Sequence, residues 1–191
     1  MRETVARSAP AGGLSEGDVT LRPWRFDDAP ALVRRINDPA VATFHDVVSQ
    51  PYEHADAIAY LTGCEEGWRT GASSNFAVCV DEIDGPAGSV GIRWGEIDDG
   101  VAEVGYWVAA AVRGRGVATT ATRLAARWAF GAEPRLERLQ LRADIENEPS
   151  NRVAAKAGFT REGVLRSARH NVRLDRRVDF AMWSLLRREV R

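Results

Sequence analysis

The chain has 191 residues and a formal net charge of -1 at pH 7. This length is typical of one domain with a single hydrophobic core, and no apolar run is long enough to span a bilayer. The near-neutral balance, with a pI of about 6.3, gives no overall attraction to nucleic acid or to anionic membranes, so we expect neither as a partner.

The amino-terminal end is predicted to be a mobile tail. Residues 1–17 are rich in Ala, Gly and Ser and lack the apolar segment that a signal peptide needs. A single domain is expected to follow over residues 18–191. Its first strand is predicted at residues 19–24, where side chains alternate, and a helix that ends at Pro39 comes next.

The rest of the chain alternates between helical and strand-like segments. Further helices are predicted at residues 53–68, 117–130 and 149–157. Strands are predicted at residues 75–80, 89–94, 103–108, 139–145, 160–167 and 178–185. The first two of these strands should form a hairpin, because turn residues lie between them. Helices placed early and late around a central run of strands predict a mixed sheet packed between helices.

The cysteines and histidines give no sign of covalent or metal chemistry. Two cysteines, Cys64 and Cys79, cannot cross-link a domain of this size and suit a reducing cytoplasm, which is where we expect the protein. Neither lies in a setting that would activate a thiolate, so a cysteine acyl-enzyme is not expected. His45, His54 and His170 show no metal-ligand spacing, and no metal site is predicted.

A glycine-containing segment after the strand at residues 103–108 predicts an anion site. The run Arg113-Gly114-Arg115-Gly116-Val117-Ala118-Thr119-Thr120 opens a helix. Glycines let a ligand approach the backbone, and the N–H groups and dipole of a helix start favour negative charge, which indicates a pyrophosphate. The Walker motif fails for want of a Gly-Lys-Ser/Thr ending, and the dinucleotide motif fails at Thr119. The alternative is an ordinary strand-to-helix turn.

Two motifs carry a family resemblance. Arg113, Gly116 and Ala118 fit the pattern Gln/Arg-x-x-Gly-x-Gly/Ala. Asn147-Glu148-Pro149-Ser150 fits Asn-x-x-Ser/Ala, and Lys156-Ala157-Gly158-Phe159 fits the Lys-x-Gly-Phe that ends the following short helix. Both patterns and their spacing resemble the GNAT superfamily of acyl-CoA-dependent N-acetyltransferases.

Segments at the two ends of the chain narrow the resemblance to one branch. Leu21-Arg22-Pro23-Trp24-Arg25 and Arg161-Glu162-Gly163-Val164-Leu165-Arg166 look like the RimJ/RimL branch, and the likeness covers about residues 18–187. It implies the GNAT fold, an α/β (α+β) architecture with a mixed, mostly antiparallel sheet flanked by helices. In that fold the strands ending at Val108 and Ile145 splay apart and form the acyl-CoA cleft.

The resemblance implies that acetyl-CoA is the acyl donor. Its thioester would lie beside Trp107 and Val108, its pyrophosphate would bind backbone N–H groups from Arg115 to Thr119, and Arg113 or Arg115 could meet another phosphate unless both are simply solvated. The residues expected to bind the donor are Trp107, Val108, Arg113, Gly114, Arg115, Gly116, Val117, Ala118, Thr119, Asn147 and Ser150.

The resemblance also suggests the catalytic residues. The Val108 N–H would stabilise the oxyanion, and Glu103 would act as base through a water, the alternative being a strand glutamate paired with an arginine. Many relatives carry a tyrosine that protonates the thiolate, but Ala154 stands there, so Ser150 could hydrogen-bond the thiolate or merely cap a helix. Asn147 is expected to bind the pantetheine amides rather than only shape a turn.

The acceptor stays open at the level of sequence. We expect a primary amine of a small molecule or of a peptide or protein N-terminus, because an α-amine with a pKa near 8 is partly neutral at pH 7. Basic residues of the last hairpin could receive an acidic peptide, or could be solvated: Arg166, Arg169, His170, Arg173, Arg176 and Arg177. Acidic residues could instead attract a polyamine or a polycationic antibiotic: Asp46, Asp56, Glu65, Glu66, Asp98 and Asp99.

Other readings of the function also remain. The donor could be succinyl-CoA or an aminoacyl-tRNA instead of acetyl-CoA, and the chain could be a noncatalytic sensor that binds CoA. A homodimer is among the assemblies that the sequence allows.

Overall fold

The centre of the structure is an eight-stranded sheet. The computed structural model describes residues 7–39, 41, 51–172 and 174–190. The strands are β1 Leu14–Glu16, β2 Val19–Pro23, β3 Ser73–Val80, β4 Gly88–Glu96, β5 Val101–Val108, β6 Arg138–Asp144, β7 Thr160–Asn171 and β8 Arg176–Leu186. They lie in the order β1-β2-β3-β4-β5-β6-β8-β7. Every neighbouring pair is antiparallel except β5 and β6, which are parallel, so the mixed, mostly antiparallel sheet is confirmed.

Helices cover both faces of this sheet. They are α1 Ala29–Ile36, α2 His54–Thr70, α3 Val117–Ala132 and α4 Glu148–Lys156. Two separate hydrophobic clusters result, one joining α3 and α4 to the sheet and one formed by α1 and α2 with Trp107 packed against it. None of the helices in the described part of the chain has the length and apolarity that crossing a bilayer requires.

The largest hydrophobic cluster is built on the apolar stripe of α3. Val117, Ala121, Leu124 and Ala125 are buried, as the spacing predicts. Trp128, on the same stripe, is half-buried and packs edge-on against aromatic rings of α2, β3 and β4, with centroids 5.4, 5.1 and 6.1 Å away. This packing fixes α3, and therefore the loop that precedes it, against the middle of the sheet.

The pairing of β5 with β6 is short. It includes only Val101–Arg138, Ala102–Leu139 and Glu103–Gln140. Beyond it, β5 continues along β4 as far as Val108, and β6 continues along β8 as far as Asp144. The two strands therefore diverge at their carboxyl ends, which confirms the expected splay and opens a gap in the sheet.

Part of the segment predicted as a mobile tail, residues 1–17, is held against the domain. Residues 14–16 form β1, which pairs with β2, and Arg7 is buried with its guanidinium 3.9 Å from the centroid of the Trp94 ring. A three-residue strand and a single buried arginine leave no periodic pattern in the sequence, so composition alone suggested a tail. Residues 1–6 lie outside the described part of the chain.

Arg7 and Glu133 form a buried ion pair whose loss should destabilise the fold. Their atoms are 2.5 Å apart, and hydrogen bonds from Arg135 and Arg7 hold the pKa of Glu133 at about 2, against 4.5 for an ordinary glutamate. Glu133→Gln leaves the buried guanidinium of Arg7 without a counter-charge, so we expect the free energy of unfolding to fall by about 3 kcal/mol at pH 7. Urea unfolding measures it.

The pH dependence provides the control for this prediction. A depressed carboxyl pKa adds stability above the unfolded pKa, and that stability is lost as the pH falls toward about 2. The difference between wild type and Glu133→Gln should therefore shrink below pH 4.5. Glu66→Gln, which removes an exposed pair with Arg69, should leave the free energy of unfolding nearly unchanged. Equal effects of the two substitutions would contradict the interpretation.

Candidate active site

A cavity of about 580 Å³ opens between the end of β5, the start of α3 and one side of α4. Its lining includes most of the residues expected to bind the donor: Trp107, Val108, Arg113, Gly114, Gly116, Val117, Ala118, Thr119, Asn147 and Ser150. Arg115 is outside this lining, as are Cys64 and Cys79. The gap between β5 and β6 and the loop before α3 therefore belong to one continuous site.

The loop before α3 has the geometry of an anion site. Gly114 and Gly116 both have positive φ, 77° and 83°, and a Cβ at either position would meet no atom within 4 Å, so the loop surface is open. The first intrahelical bond runs from the Thr120 N–H to the Gly116 carbonyl at 3.0 Å. The preceding N–H groups of α3 therefore have no acceptor within the helix, and the dipole of a 16-residue helix adds to their attraction for an anion.

The two arginines of the loop have different surroundings. Arg113 lines the cavity and donates to the Val108 carbonyl at 3.3 Å. Arg115 instead pairs with Asp18 at 3.1 Å and Glu82 at 3.3 Å. Of the two candidates for a further phosphate contact, only Arg113 is placed at the cavity.

The end of β5 directs a backbone N–H into the gap left by β6. The Ala109 N–H donates to the Ala87 carbonyl at 2.8 Å, and the next pair along the ladder is Val108 with Gly88. Hydrogen-bonded and non-bonded pairs alternate in antiparallel sheets. The Val108 N–H therefore points away from β4, toward the side on which β6 would continue the sheet, and it can donate to a ligand there.

Comparisons with known proteins agree with this geometry. A family model described as an acetyltransferase (GNAT) domain matches residues 18–160. The chain belongs to the GNAT family. This GNAT acetyltransferase is 28% identical over 176 residues to a protein named uncharacterized N-acetyltransferase p20 of Bacillus licheniformis, with 90% of this chain and 94% of that protein covered.

Solved GNAT structures have the same fold. Mycobacterium smegmatis RimJ in complex with CoA-disulfide matches with a TM-score of 0.79 and 26% identity, over 90% of this chain and 83% of that chain. The ribosomal-protein-S5-alanine acetyltransferase from Vibrio fischeri matches with a TM-score of 0.81 and 19% identity, over 94% of this chain and 98% of that chain. The RimJ/RimL-like resemblance is therefore confirmed.

Asn147 and Ser150 meet at the amino end of α4. The Ser150 backbone N–H donates to the Asn147 side-chain oxygen at 3.1 Å, so Asn147 caps this helix. Asn147 also lines the cavity, and its side-chain nitrogen is not used by the cap, so binding of the pantetheine amides stays a prediction. The Ser150 hydroxyl lies 2.8 Å from the Tyr106 hydroxyl. Burial raises the pKa of Tyr106 to about 12, so this tyrosine is neutral at physiological pH.

Glu103 is held on the other face of β5. Side chains alternate along a strand, so Glu103, Gly105 and Trp107 face the α1 and α2 side. The Glu103 carboxylate is bound by Arg93 of β4 and Arg142 of β6, and it is absent from the cavity lining. It precedes Val108 by five residues, roughly 16 Å of strand. Glu103 is therefore a strand glutamate paired with two arginines, and its role as a base stays a prediction.

Gly105 leaves a groove between Glu103 and Trp107. It is exposed, and a Cβ there would meet nothing within 4 Å. Water or an acceptor can therefore reach along this face of β5 from the Glu103 carboxylate toward Trp107.

Several lining residues were not among those that the sequence led us to expect at the donor site. Tyr106 and Val112 line the cavity from the β5 side, and Arg152, Val153 and Lys156 line it from α4. The α4 residues follow Pro149, which also lines the cavity, at i+3, i+4 and i+7, so the 3.6-residue period could have identified them. For Tyr106 the only available signal was its position two residues before Val108 on the same face of a strand.

The basic residues of the last hairpin are largely engaged by neighbours. Arg176 pairs with Glu146, Arg177 donates through Nε to the Ser167 carbonyl at 2.9 Å, and the Arg169 guanidinium lies 5.8 Å from the Phe180 ring centroid. This pattern favours a solvated, internally paired surface over a preformed site for an acidic peptide. Three residues named in the sequence analysis, His45, Asp46 and Arg173, lie outside the described part of the chain.

Proposed function

We propose that this protein transfers an acetyl group from acetyl-CoA to a primary amine of a small molecule or of a peptide or protein N-terminus, by direct attack. One observation carries the proposal. The loop before α3, residues 113–116, which we call the anion loop, and the end of β5 at Val108 line the same cavity. The CoA-disulfide in the structure of RimJ, a protein 26% identical to this chain, supports the same class of donor.

The donor would be held by backbone groups. Its pyrophosphate would lie on the free N–H groups of Val117, Ala118 and Thr119, and its pantetheine arm would fill the gap between β5 and β6. The Val108 N–H would donate to the thioester carbonyl. As the amine nitrogen bonds to the carbonyl carbon, negative charge grows on that oxygen, and a fixed donor stabilises it more than it stabilises the ground state. The C–S bond then breaks and its electron pair leaves with sulfur.

A substitution in the anion loop tests the donor site. Gly116→Glu places a carboxylate where the pyrophosphate would bind, so we expect CoA and acetyl-CoA affinity to be lost in isothermal titration calorimetry. Gly116 has a positive φ of 83°, so any side chain strains the backbone there.

Gly116→Gln is the matched control, because it adds the same strain without the charge. It should weaken CoA binding less than Gly116→Glu does. Unchanged CoA affinity in folded Gly116→Glu, or a wild type that ignores CoA, would contradict the donor assignment.

For the base, we propose Glu103 acting through water in the groove over Gly105. Glu103→Gln should then lower turnover by about 100-fold while the acetyl-CoA dissociation constant stays nearly constant. Arg93→Ala removes one ion pair but keeps the carboxylate, so it controls for structural loss and should cost much less.

The variant Gly105→Val tests the role of the groove independently of the role of Glu103 as base. The valine side chain fills the groove without a clash at Cβ, so turnover should fall while acetyl-CoA binding persists. If Glu103→Gln keeps most of the wild-type turnover and Gly105→Val does not, then the acceptor uses the groove and bulk water takes the proton.

The acceptor class is tested with a panel of amines. We expect N-terminal peptides or small primary amines to be acetylated in preference to internal lysines of folded proteins, and the small amines in the panel are polyamines and aminoglycosides. An α-amine with a pKa near 8 is partly neutral at pH 7, whereas a lysine amine with a pKa near 10.4 is almost wholly protonated. Mass spectrometry identifies the products. Modification of internal lysines alone would show that the acceptor class is wrong.

The same assay decides between the remaining readings. Thiol release with succinyl-CoA but not acetyl-CoA, or transfer from an aminoacyl-tRNA, would identify a different donor. Binding of CoA without thiol release for any amine would identify a noncatalytic sensor. The homodimer also stays a prediction: β7 is an edge strand with exposed Val164 and Leu165, a surface that a second copy could cover, and sedimentation velocity measures it.

A further inference from the structure

A tyrosine from β5 reaches the serine of α4 across the cavity. The Tyr106 hydroxyl oxygen lies 2.8 Å from the Ser150 hydroxyl oxygen and 3.2 Å from the Ser150 carbonyl oxygen. Both residues line the cavity. Tyr106 precedes Val108 by two residues and shares its face of the strand. The Ser150 hydroxyl is therefore held from the side on which the thioester would end.

The contact between Tyr106 and Ser150 allows two arrangements of its hydrogen bonds. A tyrosine hydroxyl carries one hydrogen, and a carbonyl can only accept. In the first arrangement Tyr106 donates to the Ser150 carbonyl, and the Ser150 hydroxyl donates its own hydrogen to Tyr106. In the second, Tyr106 donates to the Ser150 hydroxyl oxygen, which leaves the Ser150 hydrogen free to point into the cavity. A rotation of two hydroxyl groups converts one into the other, with no heavy atom moving.

We propose that Tyr106 is a positioning residue that turns the Ser150 hydroxyl hydrogen toward the departing CoA sulfur. This role rests on the proposed acetyl transfer. As the C–S bond breaks, its electron pair stays on sulfur, and the growing negative charge favours the second arrangement. Ser150 then donates a hydrogen bond to the thiolate while its oxygen still accepts one from Tyr106. The proton lost by the attacking nitrogen goes through water to the proposed base, Glu103, so no proton has to come from Tyr106 or Ser150.

The pair donates a hydrogen bond and does not act as an acid. Burial raises the pKa of Tyr106 to about 12, whereas a simple thiol has a pKa of about 8.5. Passing the tyrosine proton through Ser150 to the thiolate would therefore be unfavourable by roughly three thousandfold. A neutral, buried tyrosine can orient the serine throughout the reaction, because it does not ionise itself.

A double-mutant cycle tests this role. Ser150→Ala should lower kcat about tenfold, and Tyr106→Phe, which keeps the ring, should lower kcat by a similar factor with little change in KM for acetyl-CoA. Once Ser150 is gone, Tyr106 has no hydroxyl to orient. The double variant should therefore be no slower than Ser150→Ala alone.

Tyr60→Phe is the matched control. Tyr60 also bonds a serine hydroxyl, that of Ser89 at 3.0 Å, but neither residue lines the cavity. It should leave kcat within about twofold of wild type. Circular dichroism and acetyl-CoA titration confirm that each variant folds and binds.

The outcomes separate the two proposals. The positioning role is overturned if the kcat losses of the two single variants multiply in the double variant. It is also overturned if Tyr106→Phe changes only KM or changes neither kcat nor KM. Acetyl transfer itself stands in both cases. A wild type that releases no thiol with any amine overturns the proposed function, and the positioning role falls with it.

Discussion

The site depends on the point at which β5 and β6 stop pairing. Their parallel pairing ends at Glu103 and Gln140, after which each strand follows its outer neighbour. A buried N–H or C=O without a partner costs about 1–3 kcal/mol, so a gap inside a sheet persists only where its polar edges meet water or a ligand. The rest of the sheet holds β5 in this position. The Val108 N–H therefore points into the gap from a fixed position, where it can donate to a ligand.

The alternation of side chains along β5 separates two tasks. Tyr106 faces α3 and α4, where the anion loop and Ser150 lie, and Trp107, the next residue, packs toward α1 and α2. A donor on one face and an acceptor on the other would meet only at the end of the strand, beside Val108. Because both faces belong to a strand fixed by β4, the two substrates would be aligned by rigid backbone rather than by mobile loops.

The sequence identified the parts of the site that depend on backbone chemistry. Glycines at positions 114 and 116 indicate a loop with positive φ angles, and the apolar stripe of α3 indicates the helix that follows it. Both were therefore predictable. Contacts between distant side chains were not. Nothing local to Tyr106 shows that it meets Ser150, 44 residues away, and nothing local to Glu103 shows that Arg93 and Arg142 bind it. Those contacts depend on register, which the sequence pattern leaves open.

The same limit applies to the amino-terminal segment. Composition suggested a tail because Ala, Gly and Ser bury little apolar surface. The segment is instead held by β1 and by one arginine that stacks on Trp94 and pairs with Glu133. A single buried arginine of this kind cannot be predicted from hydrophobic periodicity, because the pattern depends on apolar positions only.

Whether Glu103 is needed as a base depends on the pKa of the acceptor amine. At pH 7 roughly one tenth of an α-amine with a pKa near 8 is neutral, against about one part in 2,500 of an amine with a pKa near 10.4. That gap, about two powers of ten, is comparable to what a positioned base contributes. An α-amine could react in this site even while both arginines hold the Glu103 carboxylate. A lysine-like amine would react about two powers of ten more slowly, unless water over Gly105 linked it to that carboxylate. The acceptor therefore determines how much the reaction depends on a base.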